Sequence, residues 1–387
     1  MASRANTQEP AFPKGASEEA GATDSNLGSL PPYRAPWFAG RAWGTLLCTA
    51  YPLLIVTPLA VFAIALPHSH HRRIVEMGAE CAIVAFTILA LQFVISARLR
   101  WVEAPFGLDV VLRFHRTMAF VAMSLLCIHP LLIAAGESWG LLTRWRVHWP
   151  VWAGRLALLL LLAHVAVAIF RRLMRLRYET WRHLHNAVAL LLGLGLLHSL
   201  ALGHDFESKA ARVVWVALVL VAASAWVYGR LVRPWVLRRN SYTVVAVASE
   251  AAKVWTLTLA PPVNGSLQYA PGQFQFLRSL GSSVRPEEHP FSIASSPSPS
   301  GRISLTIKEC GDFTSTIGRI KPGDRLAVHG PFGRFSHVFH GNSDTLVFVA
   351  AGIGITPLMS MLRYMRDRRE RRRVLLVYAN RGAGDIV

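Results

Sequence analysis

The sequence predicts a multidomain membrane protein: a six-helix transmembrane bundle, then an antiparallel β-barrel, then an incomplete α/β domain. Of its 387 residues, 52% are hydrophobic and 16% charged, and the mean hydropathy is positive, a composition too apolar for an ordinary soluble domain. Six apolar runs are each long enough to cross a hydrocarbon layer of ~30 Å at ~1.5 Å per residue. Beyond Ser241 the pattern changes to short alternating stretches broken by Pro and Gly, as strands require.

Residues 1–40 are rich in Ala, Gly, Ser, Pro and acids. They lack the apolar mass to offset their ordering entropy, so a disordered tail is expected. No apolar core of a cleavable signal peptide is read there. The predicted spans are 43–66, 77–97, 114–135, 151–170, 184–203 and 211–229, within a membrane domain 41–235. Lys and Arg near the span ends number fifteen on one side and six on the other, which predicts a multi-pass cell-membrane protein with both termini in the cytoplasm. A formal charge of +19 would suit a nucleic-acid partner. The arginines lie in short loops between apolar runs, however, so the expected partner is the lipid bilayer and not nucleic acid. Cys48, Cys81, Cys127 and Cys310 form no CxxC pair and are assigned no chemistry.

Strands are predicted at Tyr242–Val247, Val254–Leu259, Gln273–Leu277, Phe291–Ala294, Ile303–Ile307 and Arg325–Val328, a small antiparallel barrel over residues 240–338. In residues 339–387 an apolar strand (344–350), a glycine turn (351–357), a helix (357–369) and a second strand (374–379) read as a βαβ unit.

Ionisable side chains inside a membrane need a partner, so each intramembrane histidine is a functional candidate. His115 and His129 lie fourteen residues apart on the third span, and His185 and His198 thirteen apart on the fifth, each pair separated by ~20 Å along the helix. The third and fifth spans run in the same direction, so equal heights pair His115 with His185 near the inner face and His129 with His198 near the outer face. Each pair can give two axial nitrogens to one haem iron. The alternative is that these are core histidines hydrogen-bonded to neighbouring helices, which explains one such residue more readily than two pairs at matching heights. A step of fourteen falls about 40° short of whole turns and a step of thirteen about 140° short. The fifth helix must therefore bend, or its rings must approach their irons differently.

Other charged and histidine positions are read more plainly. Arg113 and Arg116 flank His115 and suit haem propionates or a snorkelling role at the membrane edge. His164 is expected mid-membrane, without a partner at its height, in an interhelical hydrogen bond. His183 is expected at the interface, and His68, His70 and His71 in a solvated outer loop. Arg144, Arg146, His148 and His204 lie on the outer side, as ordinary loop charge or as an attraction for an anionic chelate.

The His115/His129 and His185/His198 pattern, with Tyr178 and Trp181-Arg182 before the fifth helix, resembles the ferric reductase and NADPH oxidase superfamily of six-helix, two-haem membrane proteins. The resemblance implies two haem b groups.

Haems pass single electrons whereas nicotinamide gives a hydride, so a flavin is expected between them. His289-Pro290-Phe291-Ser292 offers an aromatic for an isoalloxazine ring and a hydroxyl for its reactive nitrogen. Gly311-Asp312-Phe313-Thr314 opens a short helix whose unpaired N–H groups favour a pyrophosphate, and Lys308 adds a nearby charge. An ordinary buried strand accounts for Phe291 and Ser292 equally well when the motif stands alone. Both segments are similar to the flavin-binding signature of the ferredoxin reductase-like barrel. That similarity implies FAD contacts from His289, Phe291, Ser292, Lys308 and Thr314, in segments that include Pro290 and Gly311.

Gly352-Ile353-Gly354-Ile355-Thr356-Pro357 follows a strand and opens a helix, the context of a phosphate-binding glycine turn. A turn serving only tight packing is the alternative. The stretch resembles the nicotinamide-binding turn of the same superfamily, through Gly352, Gly354, Thr356 and Pro357. Tyr378-Ala379-Asn380-Arg381 resembles the segment near the adenosine end, where Asn380 and Arg381 are candidate contacts and Arg381 leans towards NADPH over NADH. The superfamily's nicotinamide domain continues well past the point where this sequence ends, so the α/β domain is expected to be incomplete.

The sequence as a whole reads as an NAD(P)H-dependent transmembrane oxidoreductase using FAD and two haems. Its expected acceptor is an extracytoplasmic small molecule, a ferric chelate or dioxygen. The alternative is a haem-binding membrane module, or truncated product, that takes electrons from a partner and is not itself an enzyme.

Overall fold

A computed structural model describes residues 32–65, 73–202, 208–263, 265–281, 284–340 and 343–387. His68, His70, His71, His204 and residues 1–31 of the expected tail lie outside the described residues.

Among the described residues, six helical spans are long and apolar enough to cross a membrane. They begin with α1 (Arg41–Ala65) and α2 (Arg73–Ser96). A short α3 (Arg100–Glu103) leads to α4 (Leu108–Gly136) and then α5 (Trp149–Phe170). The fifth span consists of α6 (Tyr178–Asn186) and α7 (Val188–Leu202). The sixth, α8 (Lys209–Val227), continues through a π turn (Tyr228–Val232) into α9 (Arg233–Arg239). Leu53, Leu159, Leu190 and Val213 stay largely exposed on the outside of the bundle, as lipid-facing positions should. Ala85 on α2 and Ala122 on α4 are fully buried together with Ile88. Small residues there let two backbones approach, which drives helix association where lipid removes the hydrophobic advantage.

The break in the fifth span answers the phase problem posed by its two histidines. Helical pairing is interrupted at Ala187, two residues past His185 and eleven before His198. Ala187 N–H bonds back to Leu184 O at 3.0 Å and Leu190 N–H to Ala187 O at 2.9 Å, a tightened turn that rotates α7 relative to α6.

The barrel comprises β1 (Tyr242–Ala251), β2 (Val254–Ala260), β3 (Phe274–Ser279), β4 (Glu288–Ser292), β5 (Ile303–Lys308) and β6 (Arg325–Phe332). These form one antiparallel sheet in the order β4-β3-β6-β1-β2-β5. Ala294 N–H donates to Ser304 O at 2.8 Å, which brings the chain after β4 onto β5 and curls the sheet round. Ile303, Leu305 and Ile307 alternate into a core with Leu257, Leu259, Leu277 and Leu326. The fourth strand runs three residues earlier than the sequence pattern suggested, because Glu288 through Ser292 pair with Arg278 through Phe274. Pro290 is tolerated because β4 lies at the edge of the sheet.

The α/β part holds β7 (Thr345–Ala351), a 3₁₀ turn (Gly352–Ile355), α10 (Thr356–Asp367) and β8 (Arg373–Ala379), with β7 and β8 parallel. Leu358 and Met361 of α10 cover Phe348 and Ala350 on one face of the strands. Val347, Val349, Leu375 and Val377 are exposed on the other.

Barrel and membrane helices are joined at several points. Leu108 at the start of α4 packs with Phe276 and Phe332 of the barrel. Gly333 N–H donates to the Glu103 carboxylate at 2.9 Å, and the Arg334 guanidinium donates to Ala104 O at 2.8 Å. Burial pushes the Glu103 carboxyl up from its ordinary range, against hydrogen bonds from the Gly333 and Leu108 backbone and the nearby Arg100 and Arg334. Residues 32–40, expected as the end of the tail, are instead held in place. Tyr33 N–H donates to the Tyr364 hydroxyl at 2.9 Å, its ring meets Phe339, and Trp37–Ala39 form a turn. Nothing in the residue pattern marks the surface they pack on.

Gly272 marks where the barrel meets the α/β part. Its φ of +91° suits glycine, and a Cβ there would sit 2.4 Å from both Phe335 O and the Met361 methyl. Gly272→Ala should therefore cost about 3 kcal/mol, combining left-handed strain with overpacking. Denaturant midpoints of the two proteins measure this, and an unchanged midpoint would show that the contact relaxes freely.

Candidate functional site

The structure brings together the histidine pairs that spacing predicted. His115 and His185 have ring centroids 6.1 Å apart with planes at 79°, and His129 and His198 stand 6.3 Å apart at 82°. Two imidazoles sharing one metal at the ~2 Å bond length of histidine ligands have centroids roughly 6 Å apart. Both pairs fit an iron between them. No cluster of three or more His, Cys, Asp or Glu suited to a metal ion occurs among the described residues, whereas a bis-histidine haem needs only two protein ligands.

The second nitrogen of three of the four rings sharpens the fit. His129 Nδ1 lies 2.8 Å from Gly78 O on α2, and His198 Nδ1 lies 2.7 Å from Pro150 O on α5. A carbonyl can only accept, so each Nδ1 carries the proton and each Nε2 keeps its lone pair for a metal. His185 Nδ1 lies 2.9 Å from His164 Nε2. This is the interhelical hydrogen bond expected of His164, although no partner at its own height was foreseen. His164 is the fourth-span partner of an inner-pair histidine, a contact that depends on where α5 and α6 cross. His115 Nδ1 is buried without a hydrogen bond among the described residues. A Cβ on Gly154 would sit 2.5 Å from the His198 ring, so this glycine makes the space that the ring fills. Of the other positions, Arg113 pairs with Asp109 at 2.9 Å, while Arg116 and His183 are exposed.

Trp181 stacks on His185 with centroids 5.1 Å apart at 21°, and the Arg171 guanidinium lies over Trp181 and Tyr178. The inner pair thus sits under an aromatic cover where the fifth span enters the membrane.

The flavin-type motifs lie close to that entrance. His289 stacks on Phe313 at 4.1 Å and 24°, and Phe291 faces the same ring at 6.2 Å and 26°. Phe313 therefore links the two motifs, a role its place between Asp312 and Thr314 did not disclose. The Thr314 hydroxyl accepts from Cys310 and Gly311 N–H at 2.8 and 2.9 Å, fixing a tight loop. The N–H groups of Asp312 and Phe313 make no hydrogen bond among the described residues, which leaves donors for an anionic group. Lys308 ends β5 just before this loop.

In the α/β part, Gly352 has φ +49° and a Cβ on Gly352 or Gly354 would meet nothing, so the turn is open to a ligand. Pro357 occupies the first turn of α10 and the Thr356 hydroxyl donates to Ile353 O. Asn380 Oδ1 and the Tyr378 hydroxyl are buried without partners among the described residues, while Arg381 is exposed. Ser295, Ser296, Thr356 and Arg363 line a cavity of about 410 Å³ between barrel and α/β part.

One carboxylate ties the barrel to three membrane helices. Glu288, directly before His289, pairs with Arg98 at the end of α2 at 3.0 Å and with Arg182 of α6 at 3.5 Å. His329 of β6 stands 3.6 Å away, and Arg233 of α9 adds its field. Burial raises the Glu288 carboxyl, but His329, Arg98 and Arg233 outweigh it and hold the group down at about 2. Nearer the flavin-type loop, Arg177 lies 3.9 Å from Asp312.

Comparison with known proteins agrees with this organisation. Residues 81–196 match the ferric reductase like transmembrane component, residues 242–337 the oxidoreductase FAD-binding domain and residues 348–387 the oxidoreductase NAD-binding domain. The chain thus has a ferric reductase-like transmembrane domain followed by FAD-binding and NAD-binding oxidoreductase domains, the architecture of the ferric reductase and NADPH oxidase group. The order of these matches, a membrane part followed by flavin- and nicotinamide-type reductase domains, is the order of the bundle, barrel and α/β part described above.

Among curated relatives, it is 33% identical over 147 residues to the reductase component of propane 2-monooxygenase from Mycolicibacterium goodii, covering 37% of this chain and 41% of that protein. It is 34% identical over 137 residues to the sulfhydrogenase 1 gamma subunit of Pyrococcus furiosus, covering 35% and 46%. The chain therefore spans less than half the length of these relatives. A solved Amycolatopsis cytochrome P450 reductase aligns at 25% identity with a TM-score of 0.34, over 38% of this chain and 44% of that one.

Glu288 gives the first test of how the parts are held. A carboxyl depressed from 4.5 to about 2 in the folded protein contributes stability that is complete above the unfolded value and is lost as pH falls from 4.5 towards 2. The expected contribution is on the order of 3 kcal/mol. Glu288→Gln should lower the denaturation midpoint at neutral pH and flatten its dependence over that acidic window. Identical acid profiles in the two proteins would contradict the assignment.

Proposed function

We propose that this protein passes electrons from cytoplasmic NAD(P)H through FAD and two bis-histidine haem b groups to an acceptor outside the cell, a ferric chelate or dioxygen. The observation that carries the proposal is the pair of facing imidazoles at each membrane level, His115 with His185 and His129 with His198, at separations suited to one iron each. In such a protein the flavin would accept a hydride and release single electrons, and the two irons would relay them across the bilayer.

The chain's own residues suit those tasks. His289, Pro290, Phe291 and Ser292 on β4, with Lys308, Gly311 and Thr314 at the loop after β5, would hold FAD. Gly352, Gly354, Thr356, Pro357, Asn380 and Arg381 would hold the nicotinamide cofactor, with Arg381 favouring the extra phosphate of NADPH. His164, Gly78 O and Pro150 O would fix three ligand rings through Nδ1 and so tune the irons they serve. Glu288 leaves the flavin motif directly tethered to Arg182, which lies one helical turn before His185. The curated relative named as a reductase component supports an electron-transfer role for the barrel and α/β part. The excess of arginine on the helix ends beside the barrel supports a cell-membrane protein with that side in the cytoplasm.

Two measurements test this reading. Mixing the purified, FAD-loaded chain with NADPH should bleach the flavin and then reduce haem. No flavin reduction would favour a module that receives electrons from a partner. Gly154→Ala should displace the His198 ring, remove about half of the reduced-minus-oxidised haem signal and spare the inner centre, as should His198→Ala. A full signal in both variants would rule out an outer haem on His198.

A further inference from the structure

A second cluster of charge lies apart from both cofactor motifs. Between the sixth span and the barrel, Arg182, Arg230, Arg233, Arg238 and Arg278 surround a cavity of about 150 Å³ whose lining offers one carboxylate, Glu288. Glu288 is already shared with Arg98, so the surplus of positive charge is larger than the lining shows. Three of the guanidinium groups are braced: Arg230 donates to Asn186 Oδ1, Arg233 to Ala97 O at 2.9 Å, and Arg182 to Glu288. Arg278 Nε is buried without an acceptor among the described residues. Burial, with Arg238 and Arg182 adding repulsion against the pull of Glu288, lowers the proton affinity of that guanidinium. Clustering several like charges in a partly enclosed space costs free energy that an oxyanion would offset, and planar guanidinium forks match phosphate oxygens in pairs.

We propose that this cavity is a binding site for a phosphate group, either the headgroup of an anionic phospholipid or free phosphate. None of its lining residues belongs to the flavin or nicotinamide motifs. Its volume is below the roughly 300 Å³ at which sites for drug-sized ligands begin, so it admits a phosphate but not a nucleotide. Four of the five arginines lie on α6, the π turn and α9, where the fifth and sixth spans emerge at the barrel side of the membrane and phospholipid headgroups gather.

The test uses the full chain in phosphatidylcholine nanodiscs, with two probes: inorganic phosphate in solution and phosphatidic acid in the bilayer. The readout is the thermal unfolding midpoint, against chloride at matched ionic strength. At least one probe should raise the midpoint saturably, and about tenfold more of it should be needed for Arg278→Gln and for the exposed Arg238→Gln. Arg238→Gln keeps the test valid should Arg278→Gln fold poorly. A response to inorganic phosphate supports a soluble ligand, and a response to phosphatidic acid alone supports a lipid headgroup. The proposal is overturned if neither probe acts, or if both variants respond like the parent. It is also overturned if haem-free protein responds and haem-loaded protein does not, which would give the cavity to haem carboxylates.

Discussion

An imidazole buried in a bilayer must find a partner for each ring nitrogen, and much of this structure follows from how that need is met. Water cannot serve at that depth, so a carbonyl, another imidazole or a metal must. Gly78 O and Pro150 O take the outer Nδ1 protons, and His164 meets the inner His185. In those three rings the second nitrogen is left to the space between facing imidazoles, while His115 Nδ1 has no hydrogen bond among the described residues. Three neighbouring features serve the same end. Gly154 leaves room for His198. Buried alanines let α2 and α4 close up, so that Gly78 reaches His129. The interruption at Ala187 turns α7 so that one span serves both levels.

The barrel contributes a second constraint, electrostatic rather than steric. Glu288 is the residue before His289, so whatever holds its carboxylate also fixes the start of the flavin motif. Arg98 and Arg182 come from two different spans, which sets the barrel against the bundle near the inner histidine pair. Burial makes such a carboxylate expensive alone and strongly coupled when paired. The surrounding arginines outnumber it, and that surplus separates a simple latch from a site able to take an anion.

Much of this was legible in the sequence, and the reasons differ by element. The six spans, the six barrel strands and the βαβ unit follow from run length and periodicity, which are local properties. The pairing of His115 with His185 and of His129 with His198 was also legible, because helix rise and alternating direction convert spacing into height. What needed three dimensions was sideways contact. An interhelical hydrogen bond was expected of His164, but its acceptance of His185 as partner depends on how α5 crosses α6. Phe313 was quoted within a loop, yet its stacking on His289 depends on how β4 and the loop after β5 converge. Glu288 gave no sign of its role, since its arginine partners lie 190 and 106 residues away. Residues 32–40 resembled the rest of a polar tail until the surface beneath them was known.

The proposed electron route needs two irons between these four histidines. It is tested most directly by counting haems per chain in purified protein and recording the electron paramagnetic resonance of the ferric state. Two haems per chain are expected, both low-spin with two imidazole ligands, with loss of one centre for each histidine pair disrupted. A haem-free protein, a single centre, or high-spin iron with one protein ligand would contradict it.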